Sequence, residues 1–165
     1  MSEATIDSAT FRRVLGNYPT GVCAITAMDG QGRPTGMVVG TFTAVSLNPP
    51  LVGFLPDKSS ATWPLIEKAG RFCVNVLGSD QQAVCRQLAA GGADKFTGVN
   101  YGVSSNSLPV IADAIATIEC TIHSVNDAGD HWFVLGHVLS LETLREEDDP
   151  MLFHRGRYGG FAEMV

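Results

Sequence analysis

Two long apolar segments, "IATIECTIHSV" (115–125) and "HWFVLGHVLSLETL" (131–144), stand on either side of "NDAGD" (126–130). β-Branched and aromatic residues are frequent in both, and Asp and Gly between them suit a tight turn, so the stretch predicts a long β-hairpin. Shorter runs of the same kind recur upstream. "VCAITAM" (22–28) leads through the turn-rich "DGQGRP" into "TGMVVGTFTAVSL" (35–47), which predicts a second hairpin. "LVGFL" (51–55) and "FCVNVL" (72–77) predict two further buried strands. At least six strands result, too many and too irregularly connected for a βαβ repeat.

Short helices are predicted in the gaps. "SATFRRVLGNYP" closes at Gly16 and Pro19, and "SSATWPLIEKAG" has hydroxyls before it, a proline near its first turn and Gly70 at its end. "SDQQAVCRQLAAGG" opens on Ser79 with Gln82 three residues later, the spacing of a capping box, and stops at Gly91 and Gly92. Residues 98–109 predict a polar loop. Neither a domain linker nor an internal repeat is visible, so residues 1–165 are expected to form one domain. Antiparallel strands with a few flanking helices point to a mostly β, closed or nearly closed barrel, which removes exposed strand edges.

One strand resists simple burial. In "TFTAVSLNPP" (41–50), hydroxyls and apolar side chains mix on both faces, whereas a half-buried strand alternates apolar with polar. Such mixing suits a strand with one side packed and the other against a ligand or a partner chain.

Composition excludes some functions. The net charge of −6 argues against nucleic acid, whose phosphates are neutralised by Lys and Arg. No apolar run reaches the roughly 18–20 residues of a membrane span, and the acidic, polar start has no apolar stretch of signal-peptide length. A cytoplasmic protein is the expectation. The four cysteines form no C-x-x-C pair, and the three in or beside apolar runs read as small core residues in a reducing compartment. The histidines at 123, 131, 137 and 154 lack metal-ligand spacing, and G-x-G-x-x-G after a strand, G-x-S-x-G and P-loop patterns are absent. No metal is expected.

Three motifs can carry chemistry. Asp57, Lys58, Ser59 and Ser60 come between a strand and a helix start, where free N–H groups and the helix dipole attract phosphate; the same residues also serve as caps and solvated surface. In "AGDHWF", His131 begins a strand after a turn, either simply exposed or donating a hydrogen bond to a ligand amide. "FHRGRYGGF" (153–161) offers a clamp for a planar or anionic ligand, or a basic tail balancing "REEDD".

Taken in order, "FRRVLGNYPTGVCAITA", "FTAVSLNPPLV", "DKSSATWPLIEKAGRFCVNVL", "GDH" and "LFHRGRYGGF" resemble the short-chain flavin reductases of two-component monooxygenases, over about residues 10–160. The resemblance implies an antiparallel split β-barrel of the FMN-binding type, in a homodimer. It implies that NADH, or less readily NADPH, reduces FAD or FMN, which then diffuses to a partner flavin-dependent monooxygenase. Residues 38–46 would run along the flavin, with Thr41, Phe42 and Ser46 among its contacts and Val39, Gly40, Ala44 and Val45 beside them. Lys58, Ser59 and Ser60 match the phosphate end, and Asn75 and Leu77 follow a strand bordering the flavin. Phe96 in "DKF" is also carried over. His131 becomes the nicotinamide-side catalytic residue, acting by position rather than as an obligate proton donor, and Tyr158 matches a tyrosine near that pocket. Where relatives carry a polar run containing Thr-Ala-Asn or Ser, this chain has "VVG" at 38–40, which removes side-chain hydrogen bonds and bears on the choice between FAD and FMN. Two other readings are an oxidase with tightly bound FMN and a non-enzymatic flavin-binding module.

Overall fold

A computed structural model describes residues 5–165. In chain order the elements are α1 (Ser8–Leu15), β1 (Thr20–Gly21), β2 (Cys23–Met28), β3 (Pro34–Val39), β4 (Thr43–Ser46) and β5 (Leu51–Phe54). Next come α2 (Trp63–Ala69), β6 (Arg71–Val76), α3 (Gln82–Ala89), β7 (Tyr101–Val103) and β8 (Pro109–Ile111). The long hairpin β9 (Ala116–Ala128) and β10 (His131–Thr143) and the short pair β11 (Leu152–His154) and β12 (Arg157–Gly159) complete the chain.

Seven strands form one antiparallel sheet in the order β3-β2-β6-β9-β10-β5-β4. Its two edges, β3 and β4, are consecutive in the chain, with only Gly40, Thr41 and Phe42 between them. Laid flat, six strand spacings would hold those edges ~29 Å apart. The four peptide links from Val39 to Thr43 reach at most about 14 Å. The sheet must therefore curl on itself, into a barrel that stays unpaired between β3 and β4. Register shifts in the long hairpin, at Leu135/Gly136 and Val138/Ser140, relax the pairing where the strands bend. Gly136 is required there: a Cβ would stand 2.5 Å from the Phe72 ring.

Side-chain alternation divides the interior in two. Cys23, Ile25 and Ala27 of β2 join Phe54, Trp63, Phe72, Val74 and Val134 inside the barrel. Phe54 meets Trp63 and Phe72 edge to face at 5.8 and 5.1 Å. The other parity of β2, with Ala24, joins Val22, Leu77, Cys85, Leu88 and Ile111 in a second cluster that includes the buried side of α3. Among the described residues, no helix is long and apolar enough to cross a membrane.

Four local expectations are corrected. The single strand expected over 35–47 is two, because the chain leaves one sheet edge at Gly40 and joins the other at Thr43. The stretch 98–109 is not all loop, since β7 pairs with β8. Ser79 makes no capping box with Gln82: α3 starts at Gln82, and the Gln81 side chain ties Gly78 N–H (3.0 Å) to the Ala112 carbonyl (2.9 Å). Residues 152–159 are no loose tail but a hairpin, turned by Arg155 and Gly156 at φ 49° and 75° and paired to β1.

Candidate active site

The turn after β5 is clasped by the tip of the β9–β10 hairpin. Lys58 N–H donates to the Asp130 carbonyl at 3.0 Å, and Trp132 N–H donates to the Pro56 carbonyl at 2.9 Å. Asp57 and His131 face each other between these bonds as an antiparallel bridge. Two motifs that lie about seventy positions apart in the sequence thus meet at one end of the barrel. Asp127 and Trp132 are cross-strand partners, so their side chains share a face, and both reach Lys58. The ammonium lies 2.6 Å from Asp127 Oδ2 and 4.5 Å from the centre of the Trp132 ring.

Inside this turn the backbone donors of residues 58, 59 and 60 are spent. Asp57 Oδ1 accepts from Ser59 N–H and from the Ser59 hydroxyl, both at 2.7 Å. The hydroxyl bond, then the backbone bond, holds the Asp57 carboxyl below its ordinary range, with His131 nearby adding a smaller effect. Ser60 N–H donates to the Asp57 carbonyl, and Ser60 Oγ accepts from Thr62 and Trp63 N–H at 3.2 Å. The expectation of free N–H groups at this helix start is therefore corrected at positions 58, 59, 60, 62 and 63. What remains for a ligand includes the Lys58 ammonium and the proton of the Ser60 hydroxyl, which those two accepted bonds leave free.

The crossing between the barrel edges leads to the same place. Thr41 Oγ1 accepts from Leu55 N–H at 2.9 Å, pinning residue 41 two positions before Asp57. Phe42 turns inward and packs on the barrel core. Thr43, Ala44 and Val45 are exposed and Ser46 half-buried. Among the described residues β4 pairs only with β5, so its outer row of backbone N–H and C=O groups has no strand partner there. Just before Thr41, Val39 and Gly40 line a cleft of about 160 Å³ with Phe153 and Tyr158. The Tyr158 hydroxyl lies 3.5 Å from Cys85 Sγ, and the hydrogen bond between them together with partial burial raises the phenol above its ordinary range.

Three expected residues lie apart from this strip. Asn75 is fully buried, its Nδ2 donating to the Ala24 carbonyl and Thr26 Oγ1 and its Oδ1 accepting from Ile111 N–H. Leu77 is fully buried in the second cluster. Phe96 lines a separate cleft of about 510 Å³ beside Asp29, Arg33 and Thr35, and its ring meets Tyr101 edge to face. Asp127 and Trp132 were missed from the sequence, although their symmetric places about the Gly129 turn were a usable signal.

The model of the flavin reductase like domain matches residues 15–162. This chain belongs to that family. A flavin reductase of Pseudomonas putida is 56% identical over 159 residues, covering 96% of this chain and 93% of the relative. The reductase subunit HsaB of a flavin-dependent monooxygenase from Rhodococcus jostii is 46% identical, covering 94% and 78%. Among solved structures, nitrilotriacetate monooxygenase component B from Mycobacterium thermoresistibile superimposes with a TM-score of 0.90 at 44% identity, covering 94% and 87%. The NADH:FAD oxidoreductase SgcE6 of Streptomyces globisporus, solved with NAD and FAD fragments, gives 0.89 at 35% identity and covers 98% of each chain.

In this flavin reductase domain, the Val38-Val39-Gly40 departure has a local reason. Val39 is buried in the barrel core and Val38 packs on the second cluster. A Cβ at Gly40 would stand 2.7 Å from Thr20 Oγ1, so the backbone there lies tight against β1.

Proposed function

We infer that this chain is an NADH:flavin oxidoreductase that reduces FAD or FMN and releases the reduced flavin to a flavin-dependent monooxygenase. The observation that carries this reading is the clasp of the 56–60 turn by the hairpin tip. It sets Lys58 and His131 together at the end of an exposed strip that runs from Gly40 through Thr41 to Ser46. The donor set suits a flavin: unpaired backbone groups along β4 for a polar ring edge, and the Lys58 ammonium with the Ser60 hydroxyl for phosphate. When both ligands are bound, the nicotinamide supplies a hydride and the flavin receives it.

The protein's own part is to hold two flat rings in contact, at roughly 3–3.5 Å between reacting atoms. In this reading His131 is the nicotinamide-side residue. Asp130 Oδ1 lies 2.7 Å from its Nδ1, and a carboxylate only accepts, so Nδ1–H donates there. In the neutral ring Nε2 is then an acceptor, suited to the N–H of a carboxamide, which corrects the expectation that the ring donates to a ligand amide. The S. globisporus relative supports NADH, and the R. jostii relative supports a monooxygenase as recipient. Exposed apolar side chains, Val45 and Leu47 on and beside β4 among them, support a homodimer. Four free buried cysteines support a reducing, cytoplasmic setting.

Loss of nicotinamide absorbance after mixing the protein with NADH and added FAD or FMN tests the reading. Turnover that rises with free flavin is expected. No oxidation with either flavin would leave only a flavin-binding module. Oxidation confined to a permanently bound flavin and an organic substrate would make the protein an oxidase instead.

A further inference from the structure

Lys58 is already neutralised before any ligand reaches it. Its ammonium is held from two sides by one hairpin, at 2.6 Å by Asp127 and over the face of Trp132 at 4.5 Å. The Asp127 side chain is 73% exposed while that of Lys58 is 31% exposed, so the carboxylate forms the outer, solvent-facing half of the pair. The bond from Lys58 holds the Asp127 carboxyl below its ordinary range, which keeps it charged near neutral pH. The backbone N–H groups of residues 58, 59 and 60 are spent on Asp130 and Asp57. An anion arriving at this turn therefore finds one strong donor, and that donor has a resident carboxylate.

We propose that Asp127 competes with the flavin phosphate for Lys58 and so keeps the hold on phosphorylated flavins weak and reversible. This rests on the flavin reductase reading, in which Lys58 stands at the phosphate end. Reduced flavin must leave this protein to serve another, and a built-in counter-ion lowers phosphate affinity without removing the cation that orients it. Riboflavin, which has no phosphate, does not enter the competition.

Equilibrium titration with FMN and with riboflavin, followed by flavin fluorescence, tests the proposal on the intact chain. Asp127→Asn keeps the side chain's size and the acceptor for Gly129 N–H, which lies 3.3 Å from Oδ1. In this variant FMN is expected to bind about two- to fivefold more tightly, the range an exposed ion pair represents. The gain shrinks as salt screens the charges, riboflavin affinity stays level, and the gain disappears in a Lys58→Met background. Unchanged FMN affinity in Asp127→Asn would overturn the proposal, as would an equal gain for riboflavin or a gain that survives Lys58→Met. Wild-type protein that binds neither flavin would instead remove the flavin reading itself.

Discussion

Strands β2 and β4 belong to one sheet and draw on similar small apolar and hydroxyl-bearing residues, yet their surroundings are opposite. β2 is buried at five of its six positions, and β4 is exposed at three of four. β2 has β3 on one side and β6 on the other, with a core cluster against each face. β4 ends the sheet and, among the described residues, has β5 alone. The threonines of the two regions differ accordingly. The Thr26 hydroxyl donates to the Pro109 carbonyl at 2.6 Å and accepts from Asn75 at 3.0 Å, a closed buried network. The Thr41 hydroxyl, just before β4, makes both its bonds to Leu55 on an exposed edge. A hydroxyl on a strand marks a ligand only where the chain leaves groups around it unpaired.

The sharpest way to break this contrast is at Asn75. Asn75→Ala strands Ile111 N–H, the Ala24 carbonyl and half of Thr26's bonding in the interior, so unfolding stability should fall by about 2–4 kcal/mol in urea titration. A loss below about 1 kcal/mol would mean that water replaces the side chain and that the β2 side is open to solvent. On the open side, His131→Ala should raise the apparent KM for NADH about tenfold, worth ~1.4 kcal/mol, with flavin affinity held. Unchanged NADH kinetics would remove His131 from the nicotinamide side. Thr41→Val leaves Leu55 N–H without its acceptor at the edge crossing. It should cost about 1 kcal/mol in stability and weaken flavin binding severalfold, measurable by the same two titrations. Leu47 is 94% exposed, so Leu47→Ser should move stability by no more than about 0.5 kcal/mol. A larger loss that depends on protein concentration would show that a second copy covers this end of β4 in solution.

Much of the strand content was legible because a period of two and turn residues are local properties. The β9–β10 hairpin, the β2–β3 hairpin and the helix stop at Gly70, which takes φ 73°, each arise from neighbours in sequence. The break at Gly40 was not legible: 35–47 reads as one continuous strand until barrel closure pulls its two halves to opposite sheet edges. Asn75 and Leu77 illustrate the same limit. Their strand was readable, but whether a side chain faces a ligand or an interior depends on what packs against the sheet, and β2 and β8 come from distant segments.

The site divides in the same way. Lys58, Ser59, Ser60 and His131 could be picked out individually, since polar residues beside turns at strand ends are where chemistry is placed on a β scaffold. Their meeting required the registers of β5, β9 and β10, a long-range property. The amino-acid sequence alone determined the chain's class, its long hairpin and which residue types were available for a flavin, because each rests on side-chain pattern and local turn preference. Only the tertiary structure decided that the sheet closes between Val39 and Thr43, that Asp57 and Asp130 take the N–H groups of residues 58–60, and that Asp127 stands on Lys58. Those outcomes depend on pairing strands whose separation in sequence carries no local signal, and on hydrogen bonds that exist only once the strands are paired.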